Sequence, residues 1–562
     1  MRLLTREACT FRESFLFGAI SLGLAAVLYG PHVARGGFIL DDWALAAEAE
    51  LYGGQHGFLS LVEHLRSDPD SLMGVNGRPV AALYFAATHS VFGSETGLHI
   101  AVAVALAALV STLFYTVLRV LGMERLHAAL MSLLWLVFPA ADASRLWLAA
   151  TTSLAGLAFY FAGVLFALRG VRHSGRAAIA YHVGALACYA LSLMVYEVTV
   201  AAIAVSVLVY RLRAPWRPSV YRWIPDLAVV GVAALYLRST TNKEMLPLAE
   251  MPDRARQIQA QARSLLGALG LQDGQRRSPV PLVLAVLLVA LLVWWLSGRR
   301  GEDRRALGRW LFTALAGVIV IAVGYAPYVL VDDPYLAPLV PGIGNRANVA
   351  PAFGYVLLIY STAMLVGLLI VRATGLVRPV SSGVAVGFAV LAALAIGAFW
   401  AREVNDDRRA YGRAYALERQ AIEVLREARR PPSGTTVYTF GQPGEVAPFV
   451  PGFSRHWDLT GAVRLVWRDP TLRGIPGPSI SRDRPGIGSR WGIACTDRGV
   501  QPLGIGWGEA NRSPYGRTLF VNVPERRHVL IESREDCRRA LVWVEPTLKR
   551  PYVESARVSA SS

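Results

Sequence analysis

The sequence predicts an all-α polytopic membrane protein of about eleven spanning helices, followed by a soluble domain of mixed α and β structure. Hydrophobic residues make up 54% of the 562 positions and charged residues only 17%, and the mean hydropathy is +0.39. The composition becomes strongly charged after Trp400. We therefore expect a transmembrane domain at 1–400 and a soluble extracytoplasmic domain at 401–562.

Apolar runs define the expected spans. A run of about 20 residues crosses a hydrocarbon core about 30 Å thick, and it crosses as a helix because lipid cannot satisfy open backbone groups. The runs lie at roughly 15–31, 98–118, 126–139, 152–168, 178–194, 198–210, 223–237, 280–297, 310–330, 351–371 and 381–400.

The arginines predict the orientation. The net charge is +17, and its cations concentrate in alternate short connectors, which positive-inside bias assigns to the cytoplasm. This pattern and the lack of any nucleic-acid motif exclude nucleic acid as the expected partner. The amino terminus is then cytoplasmic and the tail extracytoplasmic, in a bacterial inner or plasma membrane. The connector cations are Arg119, Arg125, Arg169, Arg172, Arg176, Arg211, Arg213, Arg217, Arg222, Arg299, Arg300, Arg304, Arg305, Arg309, Arg372 and Arg378.

Two segments have alternative interpretations. The first span resembles either an uncleaved anchor or a signal peptide, and the absence of a small-residue cleavage site beside Pro31 and His32 favours the anchor. The outer loop at 238–279 is basic, against the rule. Its stretch 249–271 is either an interfacial helix facing lipid phosphates or a solvated helix.

The tail is expected to begin with a charged helix at 402–430, ended by prolines. Five apolar runs then suggest strands: TTVYTF, AVRLVW, TLFVNV, HVLIES and ALVWVE. Cys495 and Cys537 form a disulfide if the tail is exported, or are unrelated thiols. The tail tryptophans either stack on sugar rings or belong to the core; they are Trp457, Trp467, Trp491 and Trp507.

The candidate chemistry lies in the outer connectors. Asp41 and Asp42 follow the first span, and adjacent carboxylates suit a general base or a cation site, although helix capping also explains such a pair. Asp142 and Glu197 stand in later connectors of the same predicted face. Because ionisable groups near the membrane are costly unless they are paired or line a cavity, we expect these acids to gather around one pocket. The polar residues that share this face are Arg78, His99, Arg145 and Arg346.

This order of motifs resembles the GT-C superfamily of membrane glycosyltransferases, particularly the O-mannosyltransferase-like branch that uses lipid-linked sugars. The matching features, within residues 15–372, are the acidic pair, Arg78-Pro79, Gly93 before His99, Pro139 before Asp142, Glu197 and Arg346. The chain differs in carrying Asp142 where the family often has Glu, and in having Tyr196 where a basic residue often precedes the later acid.

The resemblance implies an inverting transfer of a sugar from a polyprenyl phosphate to an acceptor hydroxyl on a glycan, lipid or protein. Asp41 or Asp42 would be the base and Arg346 the phosphate ligand, with Arg78 and Arg145 in reserve. Asp142 and Glu197 would bind sugar hydroxyls, and His99 belongs to the same binding set. No cofactor is required, although Mg²⁺ or Mn²⁺ is compatible with the carboxylates. A transporter or glycolipid flippase is the main alternative, and a non-catalytic scaffold is the next.

Overall fold

A computed structural model describes residues 11–68, 71–72, 74–75, 77–240, 246–247, 249–266, 301–330, 342–374, 380–477, 492–503 and 511–549. The chain divides into two compact units. Unit 1 contains 1–31, 101–146 and 150–408; unit 2 contains 32–100, 147–149 and 409–562. The segment that carries Asp41 and Asp42 thus belongs to the same unit as most of the tail.

The helices are α1 (Phe11–Arg35), α2 (Asp41–Glu48), α3 (Phe58–Ser67), α4 (Pro79–Phe92), α5 (Thr96–Val120), α6 (Arg125–Leu136), α7 (Thr152–Gly170), α8 (Gly175–Val195), α9 (Trp216–Thr240), α10 (Met251–Leu266), α11 (Gly301–Val329), α12 (Pro351–Thr374), α13 (Val380–Glu427), α14 (His456–Trp467) and α15 (Arg534–Lys549). Within the described residues, eight helices are long and apolar enough to cross a membrane. The chain is therefore a multi-pass membrane protein.

These eight helices match eight of the eleven expected spans. The run at 126–139 forms α6, which has only 12 residues. The run at 198–210 is broken into a 3-10 turn and two short helices, Val200–Ala204 and Val207–Arg211. The run at 280–297 lies outside the described residues. α10 forms within the stretch expected to be an interfacial or solvated helix.

Glycines allow close helix packing in unit 1. A methyl group on Gly317 of α11 would lie 2.8 Å from the carbonyl oxygen of Gly354 in α12. On the neighbouring pair, the ring of Tyr189 in α8 covers Gly163 of α7. Such small-residue contacts let helix backbones approach where lipid provides no hydrophobic drive.

A buried charged network lies in unit 1 beside the broken segment. Asp226 of α9 is fully buried and pairs with Arg222 at 2.5 Å. It also accepts hydrogen bonds from Tyr210 at 2.6 Å and Ser206 at 3.1 Å. Ser206 stands at the interruption between the two short helices, so this network supplies the polar contact where the helix is broken.

The strands, all in unit 2, are β1 (Thr436–Phe440), β2 (Glu445–Ala447), β3 (Val450–Pro451), β4 (Arg473–Pro476), β5 (Gly492–Thr496), β6 (Gly499–Leu503), β7 (Thr518–Asn522) and β8 (Arg527–Leu530). The main sheet has the order β4-β1-β7-β8. β1 is parallel to β4 and β7, and β8 is antiparallel to β7. β2 pairs with β3, and β5 with β6.

Two strand predictions are wrong. AVRLVW lies in α14 and ALVWVE lies in α15. Cys537, Ala540 and Val544 of α15 are buried against Tyr438 and Phe520 of the sheet, and their spacing of three and four residues is that of one helix face. A short apolar run satisfies both periods, so the strand assignment lacked a discriminating signal.

The two tail cysteines form a disulfide. Cys495 of β5 is bonded to Cys537 of α15, with the Cα atoms 5.9 Å apart. The bond joins the small hairpin to the helix that covers the main sheet.

The segment between α2 and α4, which includes α3, contains a histidine that contacts two acidic side chains. His64 is 8% exposed and lies 2.8 Å from Asp68 and 3.4 Å from Glu48. Burial lowers the pKa of His64, but the hydrogen bonds to Glu48 and Asp68 outweigh burial and raise it above the ordinary value. Tyr52 stacks on the ring at 3.9 Å.

We expect this segment to be more stable at pH 6 than at pH 8. A folded-state pKa above the unfolded value of about 6.5 gives stability that is fully present below that value and is lost as pH rises through the folded value. Limited proteolysis of α3 should therefore be slower at pH 6, and His64→Gln should remove the difference. Equal protection of the wild type at both pH values would contradict this assignment.

Candidate active site

The acidic pair begins α2 on an unusual backbone. Leu40, immediately before Asp41, is buried and has φ 48° and ψ −124°. That conformation is costly for a residue with a side chain and persists only where the surroundings enforce it. It turns the chain so that Asp41 and Asp42 occupy the first turn of the helix, where the helix dipole favours negative charge.

Asp42 is buried in backbone hydrogen bonds. The amide of Ile39 donates to Oδ2 at 3.1 Å and that of Ala149 donates to Oδ1 at 2.8 Å, and only 1% of Asp42 is exposed. Burial raises the pKa of Asp42 well above its ordinary value, although the bonds from Ile39 and Ala149 oppose the change. Asp42 therefore stabilises the backbone at Ile39 and Ala149.

Asp41 is partly exposed and is held by the tail. The indole nitrogen of Trp457, in α14, donates to Asp41 Oδ1 at 2.9 Å. α14 packs directly on α2, because a Cβ atom on Gly461 would overlap the carbonyl of Trp43 and the amide of Ala44. Only glycine permits that approach, so the helix that presents Trp457 is in backbone contact with the helix that presents Asp41.

Further buried carboxyl groups surround this contact. Glu418 of α13 is fully buried and accepts a 2.6 Å hydrogen bond from the indole of Trp43. Asp458 follows Trp457 and caps α14, accepting from the amides of Ser454 and Arg455. Burial raises the pKa of Asp458 to about 8. We call Asp41, Asp42, Glu418 and Asp458 the unit 2 acid cluster.

The predicted Arg78 and His99 also belong to unit 2. Arg78 is half-buried and precedes Pro79, the first residue of α4. His99 is buried, and its Nε2 bonds to the carbonyl of Gly93 at 2.9 Å. Its ring packs against Phe38, with centroids 5.6 Å apart. His99 therefore closes a turn and supports the loop that leads to Asp41.

Asp142 is the centre of a second cluster, in unit 1. Its Oδ1 accepts from the Asn345 amide at 2.8 Å, and the Asn345 oxygen accepts from the Ala143 amide at 2.9 Å. Asn348 donates to the carbonyl of Ala140 at 2.7 Å. Burial first, and then the neighbouring Asp407 carboxyl, raise the pKa of Asp142 well above its ordinary value.

Arg145 is fully buried in the same connector. It donates to the carbonyls of Trp135 at 2.9 Å and Phe138 at 3.2 Å. Its guanidinium also lies over the Trp135 ring, 4.7 Å from the centroid. These contacts indicate that Arg145 stabilises the end of α6 and the connector that follows it.

Arg346 and Glu197 share a neighbour. Both interact electrostatically with the buried Tyr328 of α11, as does Tyr196. Arg346 is half-buried in the 3-10 turn Ile343–Asn348 and donates to the carbonyl of Ile343 at 3.3 Å. Unit 1 thus groups Arg346 with Glu197, and Asp142 with the asparagines on either side of Arg346.

Sequence reasoning missed the residues that hold these acids. Asn345 and Asn348 flank Arg346, so their position beside a predicted phosphate ligand was the available signal. Trp457 was recognised only as a sugar-stacking or core residue. Glu418 and Asp407 lie in the long helix α13, where nothing local distinguishes a buried acid from a solvated one.

The described carboxylates do not form a ready metal centre. No group of three or more His, Cys, Asp or Glu side chains there has the arrangement to hold an ion. In the unit 2 acid cluster, the Asp42 and Asp458 carboxyl groups bind backbone amides, and Glu418 accepts from Trp43.

Comparisons with known proteins find similarity among solved structures. No protein-family model and no curated protein sequence matches the chain. Among solved structures, the chain is similar to ArnT from Cupriavidus metallidurans bound to undecaprenyl phosphate, with 14% sequence identity and a TM-score of 0.39. The alignment covers 82% of this chain and 85% of that chain.

Proposed function

We propose that this protein is an inverting glycosyltransferase that moves a sugar from a polyprenyl phosphate to an acceptor hydroxyl on the extracytoplasmic face. Asp41 takes the hydroxyl proton as the acceptor oxygen attacks the anomeric carbon. The bond from that carbon to the phosphate oxygen breaks, and its electron pair leaves with the lipid phosphate. One displacement of this kind inverts the anomeric configuration.

The partly exposed Asp41 beside the buried Asp42 carries the proposal. A general base must reach the proton that it removes, and Asp41 is the accessible member of the pair. Burial raises the pKa of Asp42 well above its ordinary value, which makes Asp42 the less suitable member of the pair to act as an ionised base near neutral pH. Asp42 then positions the base, and Asp41 performs the transfer.

The disulfide supports the extracytoplasmic face. Disulfides persist in oxidising compartments and are rare in the cytosol. Cys495–Cys537 belongs to unit 2, as does the acidic pair. Nucleotide sugars stay in the cytoplasm, so a site on the other face requires a lipid-linked donor.

The remaining residues receive roles from their surroundings. Arg346 is half-buried, and its guanidinium can donate two hydrogen bonds to the lipid phosphate as the phosphate gains negative charge. Arg78 is the second candidate for that role, and Glu197 would bind sugar hydroxyls. Asp142, Arg145 and His99 each make hydrogen bonds to neighbouring backbone or side chains, so we assign them to support.

The topology predicts a labelling pattern. In a Cys9→Ser, Cys188→Ser background, Ser67→Cys should react with a membrane-impermeant maleimide added to intact cells. Ser67 ends α3, which the proposal places on the extracytoplasmic side. Arg172→Cys should react only after the membrane is opened. Both native residues are exposed, so the pair is matched; the reverse pattern would contradict the proposed face.

Sugar transfer tests the proposal itself. Membranes containing the wild type or an Asp41→Asn, Asp42→Asn double variant would receive radiolabelled polyprenyl-phosphate sugars, with nucleotide sugars in a parallel arm. We expect transfer from the lipid-linked donors by the wild type alone. Equal transfer by both proteins would contradict the role of the pair.

One observation favours a second candidate, transport of a lipid or glycolipid. An interrupted helix beside a buried charge is typical of transporters, and Val200–Ala204 and Val207–Arg211 flank such a break next to Asp226. Movement of a labelled lipid across reconstituted vesicles without sugar transfer would support it.

A further inference from the structure

We propose that Trp457 is a positioning residue that holds the Asp41 carboxylate, so that the C-terminal region completes the acidic site. This inference rests on the proposed function, in which Asp41 is the base. It assigns a role that neither sugar stacking nor core packing describes.

The hydrogen bond is the first support. The indole N–H donates to Asp41 Oδ1 at 2.9 Å, across 416 positions of sequence. An indole has one hydrogen-bond donor and no acceptor, so the carboxyl group of Asp41 must be the acceptor in this contact. A donor to a carboxylate stabilises the ionised form and fixes its orientation.

The anchoring of Trp457 is the second support. Asp458, the next residue, is buried and accepts from the amides of Ser454 and Arg455, which fixes the start of α14. Gly461, one turn later, brings α14 into backbone contact with α2 at Trp43 and Ala44. The indole is therefore carried by a helix whose end and whose distance from α2 are both set.

Other ionisable groups near this pair belong in any pH argument. Asp42 and Asp458 both interact electrostatically with Asp41. The guanidinium of Arg455 lies 5.8 Å from the centre of the Trp457 ring, and the His456 ring lies against Trp457. Replacing Trp457 with another neutral residue leaves these charges in place, so its effect reports the lost indole donor.

Trp457→Phe tests the inference because it keeps an aromatic ring and removes the donor. Without the N–H, ionised Asp41 is less stable, and the acid limb of the pH–rate profile should move up by about one pH unit. Transfer below that limb should fall about tenfold and recover at higher pH. Trp467→Phe, on the same helix, is the matched control and should leave the limb where it is.

Two outcomes would overturn the inference. A raised KM for the sugar donor with an unmoved acid limb would make Trp457 a stacking platform, and an unchanged enzyme would make the contact incidental. Gly461→Ala gives a second variant: displacing α14 should reproduce the pH shift with Trp457 intact.

A readout without catalysis separates this inference from the proposed function. Carbodiimide modification of Asp41, followed by peptide mass spectrometry across pH, reports the protonation of its carboxyl group. In Trp457→Phe the modification should extend to higher pH by about one unit. If the wild type transfers no sugar but this shift occurs, the proposed function fails and the positioning role stands. If the wild type transfers sugar and no shift occurs, the proposed function stands and the positioning role of Trp457 fails.

Discussion

Asp41→Asn should lower sugar transfer by about 10²- to 10⁴-fold, the range that a general base contributes. The variant is nearly isosteric, and its amide oxygen can still accept the hydrogen bond from Trp457. The loss would therefore come from the missing base, with the local geometry retained. Initial rates measured at saturating lipid-linked donor, for equal amounts of folded protein, give the comparison.

Glu50→Gln is the matched control for that substitution. Glu50 lies in the segment after α2, is exposed, and pairs at 3.2 Å with Arg468, which is also exposed. An exposed pair of this type contributes little, so the control should retain nearly full transfer. If Asp41→Asn matched Glu50→Gln, the base would have to be sought elsewhere.

Asp226→Ala should lower the free energy of unfolding by about 3–5 kcal/mol, because it leaves Arg222 as an unpaired buried charge. The change also removes the acceptor of the Tyr210 and Ser206 hydroxyls beside the helix break. Unfolding of the purified protein in detergent, followed by tryptophan fluorescence, would give the comparison.

The double variant Arg222→Met, Asp226→Ala separates the lost charge balance from the lost contacts. It should recover much of the stability, since replacing both members of a buried pair is often nearly neutral. Sugar transfer per folded molecule should stay within about twofold of the wild type in the double variant. Loss of transfer in a fully folded double variant would instead give this network a functional role in transfer.

The sequence was sufficient for the membrane class because hydropathy is a long-range, redundant signal. Eight spans followed directly from apolar length. The interrupted segment at 198–210 did not, since Asp226, the polar partner of Ser206 at the break, comes from the next long helix. In the tail, Cys537, Ala540 and Val544 show helical spacing only once the buried face is known.

The acidic site was predictable in part. Asp41 and Asp42 stand out as a pair beside the membrane, but their different burial depends on Ala149 and Ile39 amides that the sequence does not pair with them. The contact with Trp457 joins residues 416 positions apart. Its only sequence trace is a tryptophan beside an aspartate in the tail, which many folded domains contain.

Reconstitution with a defined donor tests the central claim most directly. Purified protein in liposomes would receive a panel of radiolabelled polyprenyl-phosphate sugars with candidate glycan, lipid and peptide acceptors, and both the freed polyprenyl phosphate and the glycosylated product would be measured. The proposed function predicts that the two appear in equal amounts with the wild type, and that neither appears with Asp41→Asn. Donor that remains intact across the whole panel with folded wild-type protein would contradict it.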